Sequence, residues 1–206
     1  MKLYLSSFRL GNNPEKLVAM VGKNKKVAFI ANATDYCDKI TRNEKVKEGI
    51  ANLEELGFEV NEIDLRDYFE KTKELAKKMT EFSLIFVRGG NVFLLRRAFA
   101  QSGFDKWLMT QKDNKDLVYG GYSAGCCILS PSLKGFEIVD DPYTLTPYYK
   151  PEIIWEGLGL LDYAFVPHFE SDHPESESVS RQVEYFKKNG VVFKALHDGE
   201  VIITEA

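Results

Sequence analysis

Residues 117–129 read Leu-Val-Tyr-Gly-Gly-Tyr-Ser-Ala-Gly-Cys-Cys-Ile-Leu: an apolar run, a serine framed by small residues, then a second apolar run. No other stretch constrains the fold as strongly. Ser123 stands in a Gly-x-Ser-x-Gly frame from Gly121 to Gly125, whose glycines permit a strained turn from strand into helix that lifts the hydroxyl above the sheet edge. At such a turn the Ala124 amide points into the space in front of Ser123 Oγ, and the helix N-terminus favours developing negative charge. The alternative is a glycine-rich strand end with a surface serine, because short motifs recur by chance.

The segments around this turn alternate in character. Lys2 to Phe8 alternates apolar and polar, and Asn13-Pro14 opens a helix expected to run to about Gly22. Lys26 to Ala31 is a continuous apolar run, as in a strand covered on both faces. A helix follows with Val46, Ile50, Leu53 and Leu56 on one side, closed by Gly57, and Phe58 to Leu65 alternates again. Leu65 to Met79 reads as a further helix, and Ser83 to Val87 as a buried strand that ends in Arg88-Gly89-Gly90-Asn91. Helical patterns follow around Phe93, Leu94 and Ala98, and from Phe104 to Lys112. Strand alternating with helix predicts an α/β fold: a doubly wound, mostly parallel sheet with helices on both faces. The length fits one domain over 1–206.

In such sheets ligands bind beyond the strand C-termini, so the two glycine-marked ends, Gly89-Gly90 and Gly120-Gly121, are expected to face one crevice. Gly90 is then a second amide donor for an oxyanion, or simply part of a tight turn. The frame is not the Gly-x-Gly-x-x-Gly of dinucleotide folds, and no cofactor is expected.

Residues 130–156 hold four of the seven prolines and show no regular period, which predicts a loop-rich excursion over the active face. Adjacent Asp140 and Asp141 there read as a turn or as site residues. Leu161 to Phe169 reads as a buried strand ending in a histidine, and Pro174 opens a helix through Val179, Val183 and Phe186 that Gly190 stops. Two short strands around Asp198-Gly199 close the chain.

A serine nucleophile needs a neighbour that accepts its proton near neutral pH, and the three histidines are His168, His173 and His197. Only His168 ends a strong apolar run, so it is the candidate base, with a hydrogen bond expected between its ring and Ser123 Oγ. A metal bound by His168 and His173 is not expected: their five-residue spacing puts them on opposite faces of a strand, and only a bent loop unites them.

Composition removes several classes. A net charge of -4 with interspersed signs offers no basic stripe for nucleic acid. No apolar run approaches the roughly 18 residues of a spanning helix, and the apolar start is too short for a signal peptide. Cys37, Cys126 and Cys127 form no disulfide framework or metal spacing, which points to a reducing, cytoplasmic location.

Taken together, Gly89-Gly90-Asn91 after a strand, Gly121-Tyr122-Ser123-Ala124-Gly125, Ile138-Val139-Asp140-Asp141-Pro142 and Pro167-His168-Phe169 occur in the order seen in the S51 peptidases, the group of dipeptidase E and cyanophycinase. The resemblance covers most of the chain. It implies a fold like that of class I glutamine amidotransferases, with serine in place of cysteine at the elbow, and a serine peptidase acting on short peptides, as dipeptidase E acts on those with an N-terminal aspartate. Carried over residue by residue, it makes Ser123 the nucleophile, His168 the base, and the Gly90 and Ala124 amides the oxyanion donors. It aligns Asp198 with the family's third, acidic member, a glutamate in the dipeptidases, and one of Asp140 and Asp141 with another acid important there.

Asp198, Glu200 and Asp140 compete for the orienting role; the register from Leu196 and the alignment both favour Asp198. Arg88 stands where the dipeptidases have glycine, and Arg88 and Arg181 are the cationic candidates for a substrate carboxylate. An esterase or amidase using the same serine and histidine, or a non-catalytic small-molecule binding protein, is the alternative on this fold.

Overall fold

The computed structural model describes residues 1–204. Six strands form the central sheet in the order β3-β2-β4-β5-β1-β8: β1 (Lys2–Ser6), β2 (Lys26–Ile30), β3 (Glu59–Glu62), β4 (Leu84–Val87), β5 (Val118–Tyr122) and β8 (Val201–Thr204). The first five run parallel, and β8 closes the β1 edge antiparallel. A second, two-stranded parallel sheet joins β6 (Ala164–Val166) to β7 (Phe193–Ala195).

Successive side chains on these strands enter two separate cores, as the two-residue strand period demands. Val27, Phe29, Leu84, Phe86 and Val118 pack under α1 (Pro14–Met20) and α2 (Lys39–Glu54) through Leu17, Val46 and Leu53. Ala28, Ile30, Ile85, Val87 and Tyr119 face the other way. There they meet α3 (Thr72–Met79), α4 (Val92–Ser102), α5 (Phe104–Thr110), α6 (Ala124–Cys127) and α7 (Ser176–Lys188). The doubly wound α/β arrangement expected from the sequence is therefore the one observed.

Two local expectations change. Leu65 to Met79 is not one helix: a 3-10 turn at Leu65–Tyr68 precedes α3, and Glu70 takes a positive φ of 64° between them. The break turns Phe69 inward, edge-on to Tyr149 with centroids 5.3 Å apart. The two terminal strands expected around Gly199 are present, each paired with a different strand. β7 joins β6 and β8 joins β1, so the turn between them is carried across from one sheet to the other.

The excursion at 130–156 packs on α4 instead of roofing the crevice. Buried Arg97 of α4 collects it by donating from Nε to the Glu152 carbonyl (3.0 Å) and from Nη2 to those of Pro142 (2.7 Å) and Pro151 (3.3 Å). One guanidinium thus satisfies carbonyls that a loop without regular structure leaves unpaired.

Removing that donor leaves buried carbonyls without partners. Arg97→Leu is expected to cost about 3 kcal/mol, the scale of losing a charged hydrogen-bond donor to several buried acceptors. Equilibrium urea unfolding checks this, with a lower midpoint at an unchanged slope.

Candidate active site

The site is built at the C-terminal ends of the central strands. β5 ends at Tyr122 and α6 begins at Ala124, leaving Ser123 to make the whole turn at φ 49°, ψ -123°. That conformation costs a non-glycine residue on the order of 1–3 kcal/mol and persists only when its surroundings enforce it. Here they do: a Cβ at Gly125 would lie 2.2 Å from the Val87 carbonyl oxygen, and one at Gly121 2.7 Å from it. Only bare glycines let β5 and α6 close onto the end of β4. The Ser123 carbonyl then accepts from the amides of Cys126 and Cys127, while its own amide donates to the Ser6 carbonyl at 3.3 Å. The Ala124 amide, first in α6, has no carbonyl one turn earlier to bond.

The turn after β4 lies alongside. A Cβ on Gly89 would come within 2.8 Å of Ser123 Cβ, and Gly90, at φ 142°, packs on the Ala33 carbonyl so closely that a Cβ would lie 2.4 Å from its oxygen. Asn91 caps α4 through a hydrogen bond from the Leu94 amide and donates from Nδ2 to the Asp141 carbonyl.

His168 follows β6, with Pro167 between them. It is buried and takes a positive φ of 60°. Its Nδ1 lies 2.6 Å from Asp198 Oδ1. One hydroxyl fixes both partners: Ser7, just beyond β1, accepts from the His168 amide (2.9 Å) and donates to Asp198 Oδ1 (2.9 Å). The Asp198 amide is held in turn by Ser171 Oγ at 2.8 Å. With Nδ1 committed to the carboxylate, Nε2 is the nitrogen left to exchange a proton. Ser123 and His168 line the same cleft, but their side chains are not hydrogen-bonded in this structure, where such contacts are often loose without substrate.

The other carboxylates lie elsewhere. Glu200 accepts from the His197 amide at 2.7 Å. Asp140 accepts from the Val92 amide at 2.8 Å, at the start of α4 behind Gly90, where burial of its carboxyl pushes its pKa up to about 7. Asp141 holds its own loop by accepting from the Tyr143 amide and the Thr144 hydroxyl. Neither acid of the pair lines the cleft.

Arg88 does line it. Its guanidinium lies 3.8 Å from Glu48 and donates to the Gly89 carbonyl at 3.3 Å, with its centre 5.7 Å from the Tyr122 ring centroid. Arg181, the other cationic candidate, does not reach the cleft: it sits on the exposed face of α7, paired with Glu177 at 2.7 Å, because Val179, Val183 and Phe186 turn the opposite face into the core.

Several lining residues carry no signal in the sequence: Phe8, Tyr36, Lys45, Glu48 and Glu175. His173, expected on the opposite face from His168, also lines the cleft and is the most consequential. Positive φ at His168 and Glu170 bends the chain, and the bend stacks the His173 ring on that of His168, centroids 3.7 Å apart and planes 6° from parallel. The bent loop that the spacing required thus exists, and ligating atoms of His168, His173 and Asp198 fall within 4.8 Å of one another. Imidazole lone pairs lie in the ring planes, however, and nearly parallel stacked planes do not meet at one ion, so this arrangement does not suit a metal.

The His168 pKa is lowered, first by burial, against which the Asp198 hydrogen bond acts to raise it. A histidine that serves as base must be neutral, so with His168 in the role expected from the sequence, activity should rise with pH through a midpoint below histidine's ordinary value of about 6.5. A kcat/KM profile from pH 4.5 to 8 checks this. Asp140 generates the opposite slope in stability. Its raised pKa means the folded state binds more protons than the unfolded one between about pH 4 and 7, so its contribution is present at low pH and lost as pH rises through about 7. Asp140→Asn, neutral throughout, is expected to melt higher than wild type at pH 8 and to lose that advantage at pH 5.

Known proteins of similar sequence and fold identify the family. The model of peptidase family S51 matches residues 7–205. An uncharacterized peptidase of Listeria monocytogenes is 29% identical over 192 residues, covering 89% of this chain and 87% of that protein. One of Pasteurella multocida is 25% identical over 170 residues, covering 80% and 74%. Among solved structures, a Listeria monocytogenes protein provisionally described as a peptidase E superposes with a TM-score of 0.76 at 23% identity, over 100% of this chain and 98% of that one. A peptidase from an acI-B1 Actinobacterium gives 0.62 at 17%, over 99% and 83%. Those two likenesses establish the fold. The match along nearly the whole chain identifies the family: this chain belongs to peptidase family S51 and is a serine-type peptidase.

Proposed function

We propose that the chain, working as one domain, hydrolyses short peptides from their N-terminus in the manner of dipeptidase E, through an acyl-enzyme on Ser123. The observation that carries the reading is the 2.6 Å contact between Asp198 and Nδ1 of His168, whose ring lines the same cleft as Ser123. His168 Nε2 takes the proton of Ser123 as Oγ attacks the peptide carbonyl; the amides of Gly90 and Ala124 receive the negative charge on the carbonyl oxygen. The protonated His168 then gives its proton to the departing amine, and water, deprotonated by the same ring, releases the acyl group. Asp198 holds the proton on Nδ1 and offsets the imidazolium charge while it exists.

The cleft, about 270 Å³, is at the small end for a ligand site, which suits a short substrate. Arg88 is the candidate reader of an acidic first residue, since its charge is only loosely matched by Glu48 at 3.8 Å. Among the described residues no helix is long and apolar enough to cross a membrane. The thiols of Cys37, Cys126 and Cys127 are free, which suits a cytoplasmic location. Nucleic acid has no part in this reading.

Ser123→Ala is expected to lower turnover by about 10³–10⁶-fold with the fold intact, because a nucleophile acts as one unit with its base. Asp198→Asn should cost on the order of 10²–10⁴-fold by presenting the wrong tautomer, and Glu200→Gln little. Dipeptides beginning with Asp, Leu and Lys test the substrate. Equal cleavage removes the acidic preference; resistance of all three together with turnover of a simple ester favours an esterase. Failure of Ser123 to label with a fluorophosphonate favours a binding protein.

A further inference from the structure

His173 has no part in the chemistry above, yet it makes the closest ring contact of the base. Its ring covers one face of His168 at 3.7 Å, and Phe8 stands edge-on to both imidazoles, 5.8 Å from His168 and 5.5 Å from His173. The Glu175 amide donates to His173 Nδ1 at 3.2 Å, which fixes the ring's rotation and assigns the neutral ring's proton to Nε2. The stack is thus anchored at its outer member by backbone, and at its inner member by Asp198.

We propose that His173 is a positioning residue for the base: its stacked ring, locked by the Glu175 amide and bordered by Phe8, fixes the plane in which His168 Nε2 meets Ser123 Oγ. Asp198 holds one nitrogen of His168, and a single hydrogen bond leaves the ring free to swing about that contact. A parallel aromatic face removes that freedom, because tilting His168 drives its atoms into His173 or opens a gap. Placement of reacting groups is worth large factors in rate, so the effect falls on turnover more than on binding.

The same cover keeps water from His168. Burial is the chief cause of its lowered pKa, and the charge of a protonated His173 acts in the same direction. The charged and titratable groups around the base are Asp198 on the turn before β8, His173 and Glu175 before α7, and Arg9, Tyr36, Lys45, Glu48 and Arg88 across the cleft.

The proposal rests on His168 being the base, and His173→Ala and His173→Phe test it. In His173→Ala, kcat is expected to fall about tenfold with KM little changed, and the acid limb of the pH profile to move to higher pH as water reaches His168. His173→Phe keeps a ring in the stack and is expected to recover kcat to within about threefold of wild type, with the acid limb close to its original place. The His168 titration midpoint by NMR should follow the same order. Wild-type kcat and midpoint in His173→Ala overturn the proposal. So does a loss confined to KM, which would make His173 a substrate contact, and so does failure of a folded His173→Phe to recover turnover. If His173→Ala does not fold, the threefold limit on His173→Phe decides. The NMR midpoints need no substrate, so a protein inactive on every peptide sinks the peptidase reading and still leaves the stack tested.

Discussion

Everything at this site depends on one close approach, that of the Val87 carbonyl to the backbone of Gly121 and Gly125. Where a side chain at either position would collide with that oxygen, bare glycine lets the end of β5 and the start of α6 lie against β4. The chain between them has a single residue, Ser123, in which to reverse, and the positive φ of that residue follows. The strain is thus a consequence of close strand-to-helix packing, and it points the hydroxyl out of the sheet.

The turn that faces Ser123 is supported from beneath by charge. Gly90 rests on the carbonyl of Ala33, which also accepts from the Asn91 amide. Ala33 lies in a 3-10 turn, Asn32–Thr34, that ends at Asp35, a buried carboxylate that meets Arg42 Nε at 2.5 Å, Asn32 Nδ2 at 2.8 Å and the Tyr149 hydroxyl at 2.5 Å. A buried ion of this kind is tolerated because each of its oxygens is hydrogen-bonded. It ties α2, the turn under Gly90 and, through Tyr149, the 130–156 excursion into one unit. Arg97 fastens the excursion on both sides of Tyr149, at Pro142 and at Pro151 and Glu152. The excursion therefore acts as a buttress for α4 and its preceding turn.

On the other side of the cleft His168 is held by hydroxyls. Ser7 links the His168 amide to Asp198, and Ser171 accepts from the Asp198 amide. Segments 161 to 191 residues apart in sequence meet through the Ser7 hydroxyl. The Asp198 carboxylate reaches the ring because the turn before β8 is drawn across from the small sheet toward β1. That path is fixed by β8 pairing with β1 while β7 pairs with β6.

The sequence by itself determined the strand–helix alternation, the two-sided burial of β2 and β4, and the elbow at Ser123, because these follow from local periodicity and from where glycine is tolerated. It also singled out His168 and Asp198 by strand-end position and resemblance, though not their contact. What only the tertiary structure decided lies in segments whose conformation is set by distant partners. The 130–156 excursion has no period, and its course over α4 is dictated by Arg97. Arg181 looked available in one dimension, but the core face of α7 turns it outward to Glu177. His173 was read as facing away from His168 because an extended chain would place it there; positive φ at His168 and Glu170 reverses that. No residue type announces a bend at these two positions, since neither is a glycine, and the contacts that impose it come from Ser7 and Leu196 on other strands and turns.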